Sequence, residues 1–198
     1  MNKILLIGLL LFSSWIFAQE EPAKTESMLR SHHGLKVNFG VGGFENKIKQ
    51  LDGRITGGAL TLGLGWGINE TSTIWLTVLG AGEEKEESQL EQEGFFALEL
   101  GWQYRLRPKK TVQPYGKIGL GAYFLGQELL SYSGGGLALA VGVDWDLSRH
   151  ILIGAEFQVK GQEYSERRMT LNGTETVVDL NPSLEGESSG ILLTLTIR

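Results

Sequence analysis

The residues able to do chemistry in this chain are thinly spread. Seven charged side chains, Glu99, Arg105, Lys117, Asp144, Asp146, Glu156 and Lys160, stand singly among small or apolar neighbours. Enclosed together, such groups make either a proton or ion path or a paired network that fills an interior, because charges in a low dielectric need partners. Hydrolysis or acyl transfer needs a nucleophile, an adjacent base and an oriented partner. The histidines that could serve as that base are His32, His33 and His150. The acidic run EEKEESQLEQE, Glu83 to Glu93, offers carboxylates to divalent cations but lacks the ligand spacing and turn glycine of a dedicated calcium loop. It reads as a solvated surface loop.

The elements that must position these groups are strands. From Gly136 to Lys160 the chain reads as one hairpin turning around Ser148 to His150, with Leu137, Leu139, Val141, Val143, Trp145 and Leu147 alternating with small or acidic residues. Ile151, Ile153, Ala155, Phe157 and Val159 alternate likewise in the second arm. Period two sends successive side chains to opposite faces, so each arm has one apolar face. Arms of about 10 residues suit a tilted strand crossing a bilayer.

The same unit recurs through the chain. Leu35, Val37, Phe39 and Val41 share a face, as do Leu60, Leu62, Leu64, Trp66 and Ile68. Asp52-Gly53 is a type I′ hairpin signal, and a two-residue turn there pairs Phe39 with Trp66, Val41 with Leu64 and Val37 with Ile68. The strand over 73–81 is ambiguous between an Ile74, Leu76, Val78 face and a Trp75, Thr77, Leu79 face. Phe96 to Leu106, Pro114 to Phe124 and Gly190 to Arg198 complete eight strands, with connections alternating long and short from a long first one. That alternation predicts an all-β, eight-stranded antiparallel up-and-down transmembrane barrel, with short periplasmic turns and long extracellular loops. The N-terminus is then periplasmic, and Trp66, Trp102, Tyr104 and Trp145 form an expected aromatic girdle at one interface. All three histidines fall at the periplasmic rim, where Asp144 and Asp146 are expected to be solvated.

Residues 1–18 read as a signal peptide: Lys3, an apolar run from Ile4 to Leu11, and Ala18 before the cut. Residues 19–33 are a polar periplasmic lead-in, and 34–198 the barrel. The chain has no cysteine, which excludes disulfides, thiolate metal sites and a cysteine nucleophile. Loss of Lys3 leaves 17 basic against 23 acidic residues, a balance that argues against nucleic acid.

A soluble lipid carrier would also alternate, but its second face would meet water and carry many Lys and Glu. Here that face holds Gly63, Gly65, Gly67, Ala97, Gly101, Gly119, Gly121, Ala138, Ala140 and Gly142, which suits a narrow lumen. With strands such as PYGKIGLGAYF and GGLALAVGVDWDLSRHILIGAEF, the chain resembles the small outer-membrane β-barrels of the OmpA/OmpX type over essentially its whole mature length. The resemblance implies outer-membrane lipids and the barrel-insertion machinery as partners, although such chains usually end in an aromatic residue and this one ends Ile197-Arg198. No catalytic residue, cofactor or metal is expected. Glu99, Arg105, Lys117, Asp144, Glu156 and Lys160 are expected to form a lumen network, since eight strands leave just enough room for side chains to fill.

The function expected is structural or surface-interacting, through the extracellular loops and an extracellular protein or glycan ligand. A lipid-modifying enzyme and a narrow solute channel are the alternatives. A protruding hairpin is expected around Asn172-Gly173, with its arms pairing at residue numbers that sum to 345. Such pairing reverses the parity of the membrane arms, so a break is required at Asn181-Pro182 or Gly186.

Overall fold

Eight antiparallel strands pair in chain order and close on themselves: β1 (Gly34–Ile48), β2 (Gly53–Gly67), β3 (Ser72–Glu83), β4 (Gly94–Arg105), β5 (Val112–Gly126), β6 (Leu130–Asp146), β7 (Ile151–Leu171) and β8 (Thr174–Ile197). The closing seam is β1 against β8, from Val37 opposite Ile197 to Ile48 opposite Gly186. This computed structural model describes residues 32–50, 53–83, 94–126, 130–171 and 174–198. The expected signal segment, the lead-in as far as residue 31, residues 84–93 of the acidic run, Asp52 and the Asn172-Gly173 turn lie outside them.

Alternation decides the two faces. Leu100, Leu120 and Leu193 point outward at 60%, 66% and 65% exposure. Phe39, Leu60, Leu137 and Ile191 lie on the same outer surface. An apolar surface of this extent does not face water, and closure leaves no unpaired edge around the apolar band. The ambiguous third strand turns Trp75, Thr77 and Leu79 inward and Ile74 and Leu76 outward. Above the apolar band, one row of directly paired residues consists of Gly43, Gly58, Gly82, Gly94 and Gly126 and marks the band's upper limit.

The glycines of the inner face are seats for rings. A Cβ on Gly142 would stand 2.4 Å from Tyr115 Cζ, and one on Gly65 would stand 2.6 Å from Trp75. A Cβ on Gly121 would meet Tyr123 at 2.8 Å. Large inward side chains therefore lie flat across glycines on the same or the neighbouring strand, and this fills the lumen.

Two expectations about the wall are corrected. The first hairpin pairs Phe39 with Leu62, Val41 with Leu60 and Val37 with Leu64, and Gly53 already sits in β2 opposite Ile48. Asp52-Gly53 is thus not a two-residue turn; the connection is 49–52. The register moved by an even number of residues, which keeps every apolar side chain outward.

Three of the four expected long loops are the second correction, the ten-residue connection 84–93 between β3 and β4 being the exception. Opposite the rim that bears both ends of the barrel, the connections 49–52, 127–129 and 172–173 are short, because residues read as loop extend the ladder instead. β7 and β8 run to 21 and 24 residues. Once two strands leave the lipid, their outward residues turn polar while the backbone ladder continues, so polarity alone marked them as loop.

Candidate functional site

The lumen divides into three levels, each set by which inward residues the strands contribute. At the rim bearing the termini is a charged knot. Arg105, on β4, donates from one terminal nitrogen to Asp144 on β6 at 2.7 Å, and Arg198 donates to Asp146 at 2.8 Å. Gln113 adds a 2.9 Å bond to the same Asp146. Neither aspartate is solvated: Asp144 is 4% exposed and the Asp146 side chain 1%. The expectation that they simply face water fails because Arg105, Arg198 and Gln113 close on them inside the mouth. His32 is fully buried there, with Nε2 3.1 Å from the Pro108 carbonyl oxygen and ring nitrogens 3.2–3.3 Å from Arg105 and Arg198. Burial and then the two guanidiniums and Lys36 push its pKa down to about 3, so the ring is neutral.

At mid-height, Lys160 on β7 is ion-paired with Glu99 on β4, both inside the wall. Tyr115 donates to Glu156 at 2.9 Å, and Trp75 donates to Gln103 at 2.5 Å. Towards the far rim the interior becomes apolar: Phe44, Ile48, Leu79, Phe95, Tyr123, Leu125, Tyr132, Tyr164 and Leu192 pack as one cluster. The Phe44 and Phe95 ring centroids are 4.8 Å apart. Leu130, Leu180 and Leu184 lean on this plug from the extended wall.

Of the six residues expected to share a network, the fold joins Arg105 to Asp144 and Glu99 to Lys160. Glu156 is engaged by Tyr115 rather than by a cation. Lys117 is half-buried, its stem 3.3 Å from where a Gly101 Cβ would be, and it makes no ion pair among the described residues. Sequence reasoning placed His32 at this rim but missed its burial against the arginines, and it missed Lys36, Gln113 and Arg198 at the mouth and the aromatic plug. Inward parity on Phe95 and Tyr123 was the available signal for the plug; nothing local marks His32. The aromatic residues Trp66, Trp102 and Tyr104 stand outward near the rim of the termini at 61%, 47% and 44% exposure, and Trp145 is half-buried beside them in height. His150 lies in the 147–150 turn, with Nδ1 3.1 Å from the Arg198 carbonyl oxygen.

The far rim carries the other distinctive feature. β7 and β8 pair from Leu171–Thr174 to Glu166–Asp179 at residue numbers summing to 345, then shift to Tyr164 opposite Leu184. The parity break falls at Ser165 and Leu180 to Ser183, which includes Asn181-Pro182 and not Gly186. β8 pairs with β1 only as far as Gly186. From Thr174 to Leu184 its second edge therefore has no strand beside it among the described residues. Lys49 reaches that seam through ion pairs of 2.9 Å to Glu185 and Glu187, which raise its pKa and lower that of Glu185.

A closed eight-stranded wall with an apolar exterior and a filled interior decides the class. The outer membrane protein beta-barrel domain model matches residues 6–178. The chain belongs to that family. Outer-membrane barrels of known structure share the fold: Neisserial surface protein A at TM-score 0.58 and 12% identity, over 82% of this chain and 96% of that one. OprG from Pseudomonas aeruginosa matches at TM-score 0.56 and 12% identity, over 85% and 97% of the two chains. A major outer membrane protein from Thermus thermophilus matches at 0.53 and 14% identity, over 82% and 99%. A search of curated proteins finds no match. As an outer-membrane barrel of the small OmpA/OmpX type, the chain crosses the bilayer with strands; among the described residues no helix is long and apolar enough to do so.

Proposed function

We propose that this outer-membrane barrel is a non-catalytic surface-interaction protein, with the rim of the termini facing the periplasm and the β6–β8 extension facing outward. The observation that carries the reading is the edge of β8 from Thr174 to Leu184, which has no strand beside it among the described residues and is held above the seam by β7. A row of open backbone donors and acceptors binds an extended segment of another protein by adding a strand. The barrel below holds this edge rigidly, which lowers the ordering cost of binding. Glu166, Arg168 and Asp179 line the extension; such charges are costly in lipid and ordinary in water. The outward Ile191, Leu193, Leu195 and Ile197 of β8 offer the barrel-insertion machinery an alternating final strand. With a charged knot at one end and an aromatic plug at the other, the lumen does not conduct solutes.

The test is binding of the barrel in lipid nanodiscs to immobilised extracellular proteins and glycans, with and without residues 166–179. Protein binding lost on deletion, with no conductance in planar bilayers, supports the reading. Undiminished protein binding by the shortened barrel, or glycans as the sole ligands, counts against it.

A further inference from the structure

The lipid-facing wall is not evenly filled out. Where β1 to β4 reach the upper limit of the apolar band there is a depression of about 540 Å³, whose lining includes Val41, Gly58, Leu60, Gly80 and Gly82. The register explains it. In the row Val41, Leu60, Gly80 and Phe96, the β3 position is a glycine between two large exposed residues, Leu60 and Phe96. In the row Gly43, Gly58, Gly82 and Gly94, none of the four strands presents a side chain. A Cβ added at Gly43, Gly58, Gly80, Gly82 or Gly94 would meet nothing within 4 Å. These glycines seat no ring, unlike those of the inner face, and leave the space above them open.

The depression is continuous with the wall that meets lipid, so the bilayer supplies what fills it. A methylene chain on a smooth wall touches protein on one side. Between Leu60 and Phe96, over a backbone floor, it touches protein on three, and its dispersion contacts grow accordingly. What stands above selects the head of that chain. Lys47 on β1 and Arg54 on β2 are opposite each other in the register, four residues beyond the Gly43–Gly58 pair, a rise of about 13 Å along the strands. Lys47 is exposed, and a long lysine stem lets its ammonium reach down to the headgroup level, where basic residues attract anionic lipids. The charges beside it are already engaged: Glu45 has a partner of its own, and Lys49 holds Glu185 and Glu187. We propose that the depression on β1 to β4 is a docking site for one membrane lipid with an anionic phosphate headgroup, its acyl chain over Gly58, Gly80 and Gly82 and its phosphate against Lys47. The site belongs to the leaflet on the side of the β6–β8 extension and does not depend on how that extension is used.

The experiment uses the full refolded barrel in phosphatidylcholine nanodiscs containing a minor share of phosphatidylglycerol with a photoactivatable diazirine near the top of one acyl chain. Cross-links mapped by peptide mass spectrometry should concentrate on Val41, Leu60 and Phe96, in excess over Ile191 and Leu193 of β8. Gly80→Leu, which fills the depression, should abolish the excess. Gly116→Leu, at a glycine with equally open space near the opposite rim, should keep it. Phosphatidylcholine carrying the same label should give a weaker signal, and Lys47→Gln should remove that difference. Cross-links spread evenly around the wall, or an excess that survives Gly80→Leu, would mean annular lipid only and overturn the site. Equal signals from the two lipids in the unmodified barrel would overturn the headgroup assignment. A two-chain mass in native mass spectrometry that Gly80→Leu abolishes would put a second barrel in the depression and overturn the lipid. If Gly80→Leu does not fold, Gly58→Leu takes its place with the same expected loss.

Discussion

The carbonyl oxygen of His32 occupies the place where a side chain on Gly67 would begin: a Cβ at position 67 would lie 1.7 Å from it. One glycine at the end of β2 thus lets the segment His32-His33 lie against the wall and seat His32 on the arginines.

Gly67→Val should expel that segment and open the charged knot to water. The chain has no cysteine, so a single Thr73→Cys reports access to the knot. Its reaction with a water-soluble maleimide should be slow with Gly67 and fast with Gly67→Val. Equal rates would show that His32 does not close the mouth.

Stability should fall with acid through His32. Its pKa of about 3 when folded lies below the ordinary 6.5, so the unfolded chain binds the proton more readily. The histidine's contribution is full above pH 6.5 and is lost progressively as pH falls towards 3. Urea unfolding of the barrel across that window should show a decline that is smaller in His32→Gln. Parallel curves for the two proteins would refute the role of His32.

The Glu99–Lys160 pair should behave as a buried pair. Glu99→Gln alone leaves an ammonium unmatched inside the wall and should cost about 3–5 kcal/mol, while Glu99→Gln with Lys160→Met should recover most of the loss. Denaturant midpoints of the two singles and the double measure this, and an additive double mutant would place the two groups in water.

Leu100→Arg puts a charge on the lipid face near mid-strand and should destabilise the barrel by about 2–4 kcal/mol. Gly101→Ser points inward, where a Cβ would sit 3.3 Å from the Ile118 carbonyl and the Lys117 stem, and should cost less. The opposite ranking in urea titrations would mean that the faces are exchanged.

What could be read along the chain was whatever period two alone determines. Leu98, Leu100 and Trp102 alternate with Ala97, Glu99 and Gly101 whatever else the chain does, and eight such runs close only as a barrel. Their outer face fixes the solvent as lipid. The parity conflict between the membrane arms and the 345 pairing was legible for the same reason, and β7 and β8 break where it required.

Tertiary structure decided what depends on two strands at once. The first hairpin's register answers to β8 as well as to β2, so the local preference of Asp52-Gly53 was overruled. Whether Asp146 meets water or Arg198 depends on residues 52 positions apart. The inner glycines looked like empty space because the rings that fill it, Tyr115 over Gly142 and Trp75 over Gly65, come from the neighbouring strand. Single-strand alternation says which way a side chain points; only the closed wall says what it meets there.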